Sequence, residues 1–324
     1  MSCIITAPSS SSGKTLLSLL LTSWARSNKH SIQTFKIGPD YLDSQLLSSI
    51  SQQNCRNLDL ILCNKDWINE TFYRYGRLST LTLIEGVMGL FDGVGNSSKG
   101  STADVAKELD LPIVLTINAR GQAASLAALI KGFRDYDPKL KLAGVVLNNV
   151  NSQRHKDLLA EVLSSIDVKL LGTLPNDSKL ALPSRHLGLI PPHEIRNIHK
   201  RVEYWAEIAK KNLDLKSFKQ LLKSPQKVIK TVHLNNIIEK RNGSILRQYP
   251  VAIAQDKAFH FRYPETKEYL EAMGMPLINW QPTENQPIPT QAKALIIPGG
   301  FPELFAEEIS DSTKSLESIR AFFG

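Results

Sequence analysis

Cys3-Ile4-Ile5-Thr6-Ala7-Pro8-Ser9-Ser10-Ser11-Ser12-Gly13-Lys14-Thr15-Leu16-Leu17-Ser18-Leu19-Leu20-Leu21 decides the reading of this chain. The first four residues form a short apolar run, the last six a leucine-rich helical pattern, and a tight loop joins them. Where a strand turns into a helix in this way, the helix start presents unpaired backbone N–H groups and the positive end of its dipole, a ready site for phosphate. Lys14 adds a mobile positive charge for outer phosphates and Thr15 a hydroxyl for Mg²⁺, so Ser10, Ser11, Ser12, Gly13, Lys14 and Thr15 read as an ATP-binding set. The loop departs from G-x-x-x-x-G-K-[ST]: the first glycine falls at Pro8, four serines follow, and only Gly13 supplies free φ/ψ. The ordinary alternative is a serine-rich surface loop with a chance Gly-Lys-Thr; strand and helix flanking it in the right order argue against that.

Outward from this loop, apolar runs at Gln33–Ile37, Leu81–Ile84, Ile113–Ile117, Ala143–Leu147 and Lys169–Leu174 read as strands. Amphipathic stretches such as Ala103–Leu109, Ala123–Phe133 and Gln153–Ser164 lie between them. Continuous apolar strands alternating with helices predict an α/β fold with a mostly parallel sheet covered on both faces. Ligands of such sheets bind at the carboxyl ends of the strands. The pattern predicts three segments: an ATP-binding domain over 1–194, a basic helical linker over 195–247, and a second α/β domain over 248–324. In the last, Val251–Ala254, Pro276–Asn279 and Ala294–Ile297 read as strands, and Pro264–Met273 as a helix with Pro264 in its first turn and Gly274 as its cap.

The 324 residues are 42% hydrophobic, 7% aromatic and 22% charged, an ordinary globular composition. No apolar stretch of about 18 residues suggests a membrane span, and the N-terminus lacks a signal-peptide layout. The three cysteines, Cys3, Cys55 and Cys63, have no metal spacing. The expectation is a cytoplasmic protein with free thiols. The net charge of +8 matches the excess between Lys200 and Arg247, where 12 Lys and Arg face four acids. A basic surface attracts nucleic acid, anionic lipid or a polycarboxylate; without aromatic interleaving, a solvated linker is the preferred reading, with neither nucleic acid nor membrane as partner.

Acids follow the strands. Gly38-Pro39 break the second strand, which places Asp40 and Asp43 on a turn near its end. Glu85 ends the third, and Asp92-Gly93 lies in the glycine-rich loop beyond it. ATP needs a hard cation bound through oxygen, and Thr15, Asp40 and Glu85 are candidates to hold Mg²⁺. Each aspartate has the ordinary alternative of capping its own turn. Asn148, directly after a strand, reads either as an adenine partner or as a turn residue. Arg185 is a candidate clamp for carboxylate or phosphate.

The loop A-P-S-S-S-S-G-K-T, the run K-I-G-P-D-Y-L-D from Lys36, R-N-L-D from Arg56, E-G-V-M-G-L-F-D-G from Glu85, S-R-H-L-G-L from Ser184, A-Q-D-K-A-F from Ala254 and P-G-G-F-P-E from Pro298 together resemble the cobyrinic acid a,c-diamide synthases. The resemblance spans nearly the whole chain. It implies a glutamine-dependent ligase of cobalamin biosynthesis: a dethiobiotin-synthetase-like ATP domain followed by a class I (triad) glutamine amidotransferase-like domain. Two acetate carboxylates of a corrin polycarboxylate would be phosphorylated and then amidated, with ATP and Mg²⁺ consumed and glutamine or ammonia as nitrogen source. By family position Lys14, Asp40, Glu85 and Asp92 are catalytic candidates, Tyr41, Leu42, Asp43, Asp92 and Gly93 substrate-binding ones, and a second copy of the chain a candidate partner. Alternatives on the same scaffold are cobyric acid synthase, dethiobiotin synthetase and a partitioning or Min-type ATPase switch. The last usually carries a second lysine early in the loop, and residues 7–12 contain none.

Three departures from the family pattern stand out. Ser11 replaces a frequent glycine, which a serine can do if its φ is negative. Ser44 replaces a usual proline. No cysteine follows Cys63, so the amidotransferase-like part has no thiol nucleophile and the chain reads as C-terminally truncated. The backbone N–H groups of Gly300 and Phe301 are oxyanion-hole candidates.

Overall fold

Every strand expected above is present in a computed structural model, which describes residues 2–182, 184–185, 188–195, 197–229 and 249–324. The chain divides into two units, Met1–Lys230 and Thr231–Gly324. In the first, β1 (Cys3–Thr6), β2 (Ile32–Ile37), β3 (Arg56–Leu58), β4 (Leu81–Glu85), β5 (Ile113–Asn118), β6 (Leu142–Asn148) and β7 (Leu170–Leu174) form one sheet in the order β3-β2-β4-β1-β5-β6-β7. All its pairings are parallel. Parallel strands need crossovers, and helices α1 (Lys14–Ser27), α2 (Leu42–Ser51), α3 (Lys65–Gly76), α4 (Thr102–Glu108), α5 (Ser125–Tyr136) and α6 (Gln153–Ser164) supply them.

The two-residue period of the strands separates the cores. Ile5 and Leu83 face α1 and α2, in a core with Leu17, Leu20 and Leu46. Their neighbours Ile4 and Ile84 face the other way, onto Phe72 of α3 and Val105 of α4. Under β5 and β6 the second face is completed by Leu126, Ile130 and Leu159. β1 lies near the middle of the sheet, so the loop that follows it opens at a crevice flanked by the ends of β4 and β5.

The stretch expected as a linker is, over 198–222, part of this first unit. Helices α7 (Ile198–Asn212) and α8 (Leu215–Leu221) place Trp205, Ala209, Leu213, Phe218 and Leu222 in the α1 core. Their lysines stay on the outer side, which is why the segment looks basic and weakly periodic in sequence. Residues 230–247 of the expected linker lie outside the described residues, as does 248. A short antiparallel pair, β8 (Ser184–Arg185) and β9 (Gly188–Leu189), precedes α7.

The second unit contains a three-stranded parallel sheet, β12-β10-β13, of β10 (Val251–Ala254), β12 (Leu277–Trp280) and β13 (Ala294–Ile296). Helices α9 (Pro264–Ala272), α10 (Ala306–Asp311) and α11 (Thr313–Phe323) accompany it, and Ala252, Ala254, Trp280 and Ile288 form its core with Phe322. β11 (Phe259–Phe261) pairs antiparallel with β14 (Gly299–Gly300). This pairing corrects one expectation. The Phe301 N–H donates to the Ala258 carbonyl at 3.0 Å, so it is not a vacant oxyanion donor. A Cβ on Gly300 would lie 1.9 Å from the same carbonyl, so the glycine there serves close backbone packing. Among the described residues no helix is long and apolar enough to cross a membrane.

Trp205 is fully buried against the α1 core. Trp205→Ala is expected to lower unfolding free energy by about 3–5 kcal/mol. Urea titration of the full chain measures it, and a loss under 1 kcal/mol would return α7 to the status of a linker.

Candidate active site

The phosphate loop is shaped by two left-handed residues. Gly13, the residue preceding α1, has φ 111°. A Cβ there would lie 2.6 Å from Asn148 Nδ2, so the position excludes side chains both by backbone conformation and by space. Ser11 has φ 60°, so the negative φ that would let a serine replace glycine without strain is not met. The loop keeps the conformation that glycine would give and a serine bears the strain, about 1–2 kcal/mol for an L-residue in this region. Asn148 Nδ2 donates to the Ser12 carbonyl at 3.3 Å, and its Oδ1 accepts from the Asn149 N–H at 3.0 Å. The Asn148 amide therefore braces the loop, and one Nδ2 hydrogen and one Oδ1 lone pair stay open beyond these bonds, as the adenine reading of this residue requires.

Lys14 is buried, and its Nζ folds back along the loop to the carbonyls of Ser9 (3.3 Å) and Met88. Burial lowers its pKa and nearby Lys36 adds to this; Glu85, Asp43 and Asp92 pull the other way.

Strand register assembles the charged centre. β2 and β4 pair so that Lys36 lies opposite Glu85, and β1 pairs with β4 so that Ile5 lies opposite Glu85. Both Lys36 and Glu85 thus point to the face covered by α1 and α2, where Thr15 and Asp43 occupy first turns. Lys36 Nζ reaches Asp43 Oδ2 at 2.8 Å, Glu85 Oε1 at 3.0 Å, the Gly86 carbonyl at 3.1 Å and Asp40 Oδ2 at 3.7 Å. Thr15 Oγ1 donates to Glu85 Oε1 at 2.8 Å and to Asp43 Oδ2 at 3.3 Å. Glu85 is fully buried, and its second oxygen, Oε2, has no hydrogen-bond partner.

Burial dominates the electrostatics. It pushes the Glu85 pKa up to about 7, with Lys36 opposing and Asp43 reinforcing. For Lys36 burial disfavours the charge, but Glu85, Asp43 and Asp40 outweigh it and hold the ammonium. Asp43 is likewise penalised by burial, yet the Lys36 contact keeps it below the ordinary carboxylate range. Asp40 is raised by burial against the pull of Lys36.

Of the three residues expected to hold Mg²⁺, Thr15 and Glu85 meet directly. Asp40 stands one step back: its Oδ1 accepts from the Asp43 N–H at 3.0 Å and so caps the start of α2, while Asp43 takes the place beside Thr15. Lys36, which the sequence reading passed over, lies between all three acids. A lysine inside the wholly buried strand Ile32–Ile37 was the available signal, since a charge there needs partners. Among the described residues no cluster of three or more acids, histidines or cysteines is arranged as a closed metal cage. Mg²⁺ does not need one: it uses one or two protein carboxylates and completes its shell with water and phosphate. The hydroxyl of Thr15 and the orphaned Oε2 of Glu85 fit that demand.

Beyond this centre, the loops after β2, β3 and β4 enclose a pocket of about 230 Å³, lined among others by Gly38, Pro39, Met88, Asp92 and Gly93. Asp92 Oδ2 accepts from the Gly89 N–H at 2.8 Å and closes the glycine-rich loop. Tyr41, just before α2, and Leu42, its first residue, sit between this pocket's β2 loop and Asp43. The side chain of Arg185 lies outside the described residues.

Two measurements follow from this geometry. In the unfolded chain Glu85 ionises in the ordinary range near 4.5, in the folded one near 7. Its contribution to stability is therefore complete at low pH and is lost as pH rises toward about 7. Thermal melts of metal-free protein from pH 5 to 8 should show a decline that Glu85→Gln flattens; equal slopes for the two would contradict the assignment. Ser11→Gly should stabilise the chain by about 0.5 kcal/mol, the left-handed strain relieved less the added chain entropy of glycine, read from denaturant midpoints.

Residues 3–190 match the family described as CobQ/CobB/MinD/ParA nucleotide binding domain. A cobyrinate a,c-diamide synthase from Synechococcus sp. is 36% identical over 324 residues, covering 99% of this chain and 70% of the relative. One from Caldanaerobacter subterraneus subsp. tengcongensis is 36% identical over 319 residues, 98% of this chain and 68% of the relative. One from Limosilactobacillus reuteri is 39% identical over 310 residues, 95% and 66%. With a phosphate loop at the end of β1, acids at the ends of its neighbours and matches of this extent, the chain belongs to the cobyrinate a,c-diamide synthase family.

Proposed function

We propose that the first unit phosphorylates the a and c acetate carboxylates of cobyrinate with ATP, and that ammonia, free or derived from glutamine, then displaces each phosphate to give an amide. The observation that carries this reading is the set of buried Lys14, Lys36 and Glu85 with half-buried Thr15 and Asp43 at the mouth of the phosphate loop.

A carboxylate resists amidation because direct attack would expel oxide; an acyl phosphate offers a good leaving group. The task is to bring a γ-phosphate in line with the acid and to offset the negative charge gathered there. The N-terminus of α1 and the loop amides receive the polyphosphate. Lys14 lets go of the Ser9 and Met88 carbonyls and turns its ammonium to the outer phosphates. Lys36 keeps Asp43 and Glu85 from repelling the incoming anions. Thr15 and Glu85, with Asp43, would hold Mg²⁺, which supplies further charge neutralisation when bound. Residues 64–324 contain no cysteine, so within them a thiol-dependent glutaminase step has no nucleophile and free ammonium is the donor to test first.

Incubation with cobyrinic acid, ATP, Mg²⁺ and ammonium should give the mono- and then the diamide, resolved by mass spectrometry, with one ADP per amide. Lys14→Ala should lower kcat at least 100-fold, the scale of losing a charge-stabilising donor. Retention of the full rate would remove Lys14 from the mechanism; ATP turnover that ignores the corrin would remove the amidation.

A further inference from the structure

We propose that the pocket formed by the loops after β2, β3 and β4 is a subsite for an apolar, methyl-bearing edge of the corrin ring, with Lys99 at its rim pairing a peripheral carboxylate that is not the one being activated. The proposal rests on the amidation reading above and adds to it how the substrate is held.

The pocket is walled by Ile61, Leu62, Val87, Met88 and Val94, and it is almost wholly apolar. Ile61, Leu62, Met88 and Val94 are between 44% and 63% exposed, an unusual grouping for loops that elsewhere bury their apolar residues. The walls are set rather than slack. A Cβ on Gly38 would lie 2.9 Å from Val87, and one on Gly100 would lie 2.5 Å from Ile61 Cδ1, so glycine lets the β2 and β3 loops seat against the β4 loop. Asp59 Oδ1 accepts from the N–H groups of Ile61 at 2.7 Å and Leu62 at 3.0 Å and fixes the β3 loop that carries them.

Position assigns the occupant. Met88 lines the pocket, and its carbonyl receives Lys14 Nζ. A ligand seated there therefore meets the terminal-phosphate end of the loop rather than the nucleoside end. At about 230 Å³ the space is far too small for a macrocycle but suits one edge of it. Lys99, also on the wall, is exposed and makes no ion pair or side-chain hydrogen bond with any described residue, so its ammonium is open to an anionic substituent of a ligand seated there.

The test is titration of cobyrinic acid into the full chain holding a non-hydrolysable ATP analogue, followed by corrin absorbance, for the parent, Leu62→Asp and Lys99→Glu. Both positions are exposed, and nucleotide affinity measured in parallel reports folding. Each variant should weaken cobyrinate about tenfold, with nucleotide affinity within twofold of the parent. If the parent binds cobyrinate and both variants bind it equally well, the subsite is wrong while the amidation reading stands. If the variants lose ATP instead, the pocket belongs to the nucleoside and the proposal is overturned. If the parent itself fails to bind cobyrinate, subsite and amidation reading fall together.

Discussion

The contact between Lys36 and Glu85 is the constraint around which the catalytic end of the sheet is built. Both groups are removed from water, and each ion costs several kcal/mol to bury alone. Parallel register brings them face to face and makes the pair affordable. It also fixes which oxygen of Glu85 is occupied, since Oε1 accepts from Lys36 and Thr15 while Oε2 stays unpartnered. Without the ammonium, three carboxylates would converge within reach of a polyphosphate and repel it. With it, their charge is partly offset, and the remaining negative character suits a small hard cation. The same pair ties β2 to β4, and through Thr15 it ties both to the first turn of α1.

The phosphate loop meets a different demand, that of backbone geometry. A left-handed residue at Gly13 turns the chain into α1 so that its free N–H groups open toward the crevice, and a second at Ser11 shapes the approach. Asn148, at the end of β6, binds the loop from beneath. The loop is thus preorganised by neighbours on both sides: by β6 through an amide, and by the β4 loop through Met88 and Lys14. Preorganised dipoles and charges are what phosphoryl transfer requires of a protein, because little of its chemistry is covalent work by side chains.

The long apolar strands and the phosphate loop were legible in the sequence because each announces itself locally: Cys3–Thr6 by hydrophobicity, Gly13-Lys14-Thr15 by motif. β3 escaped because three residues carry no period, and α3 because its start rests on a single cap, Asn64 accepting from the Trp67 N–H at 2.8 Å, which no strong local pattern announces. The helices of the basic segment were legible but their place was not: lysines on the outer faces of α7 and α8 suggested a solvated linker, although Trp205 and Phe218 sit fully buried within. At the site, identities were easier than arrangements. Asp40, Asp43 and Glu85 were found by their position after strands, yet which of them touches Thr15 depends on how α2 begins, and that is settled by the Asp40 cap rather than by spacing. Lys36 belongs to the same class: its role follows from a register between strands almost fifty residues apart, which no local pattern encodes.

The two amidations proposed for this one phosphate loop impose a further requirement. The a and c acetates sit at different places on the corrin, so the same ring must be presented to Lys14 in two orientations. A pocket that gripped the ring through many directional hydrogen bonds would fix one orientation and stop after the first amide. Apolar contact is non-directional and scales with area, so walls such as Ile61, Leu62 and Val94 can hold either presentation at similar cost. A single rim charge such as Lys99 can pair with whichever carboxylate comes to it. The scarcity of polar groups in the pocket is, on this reading, what allows one site to act twice on one substrate.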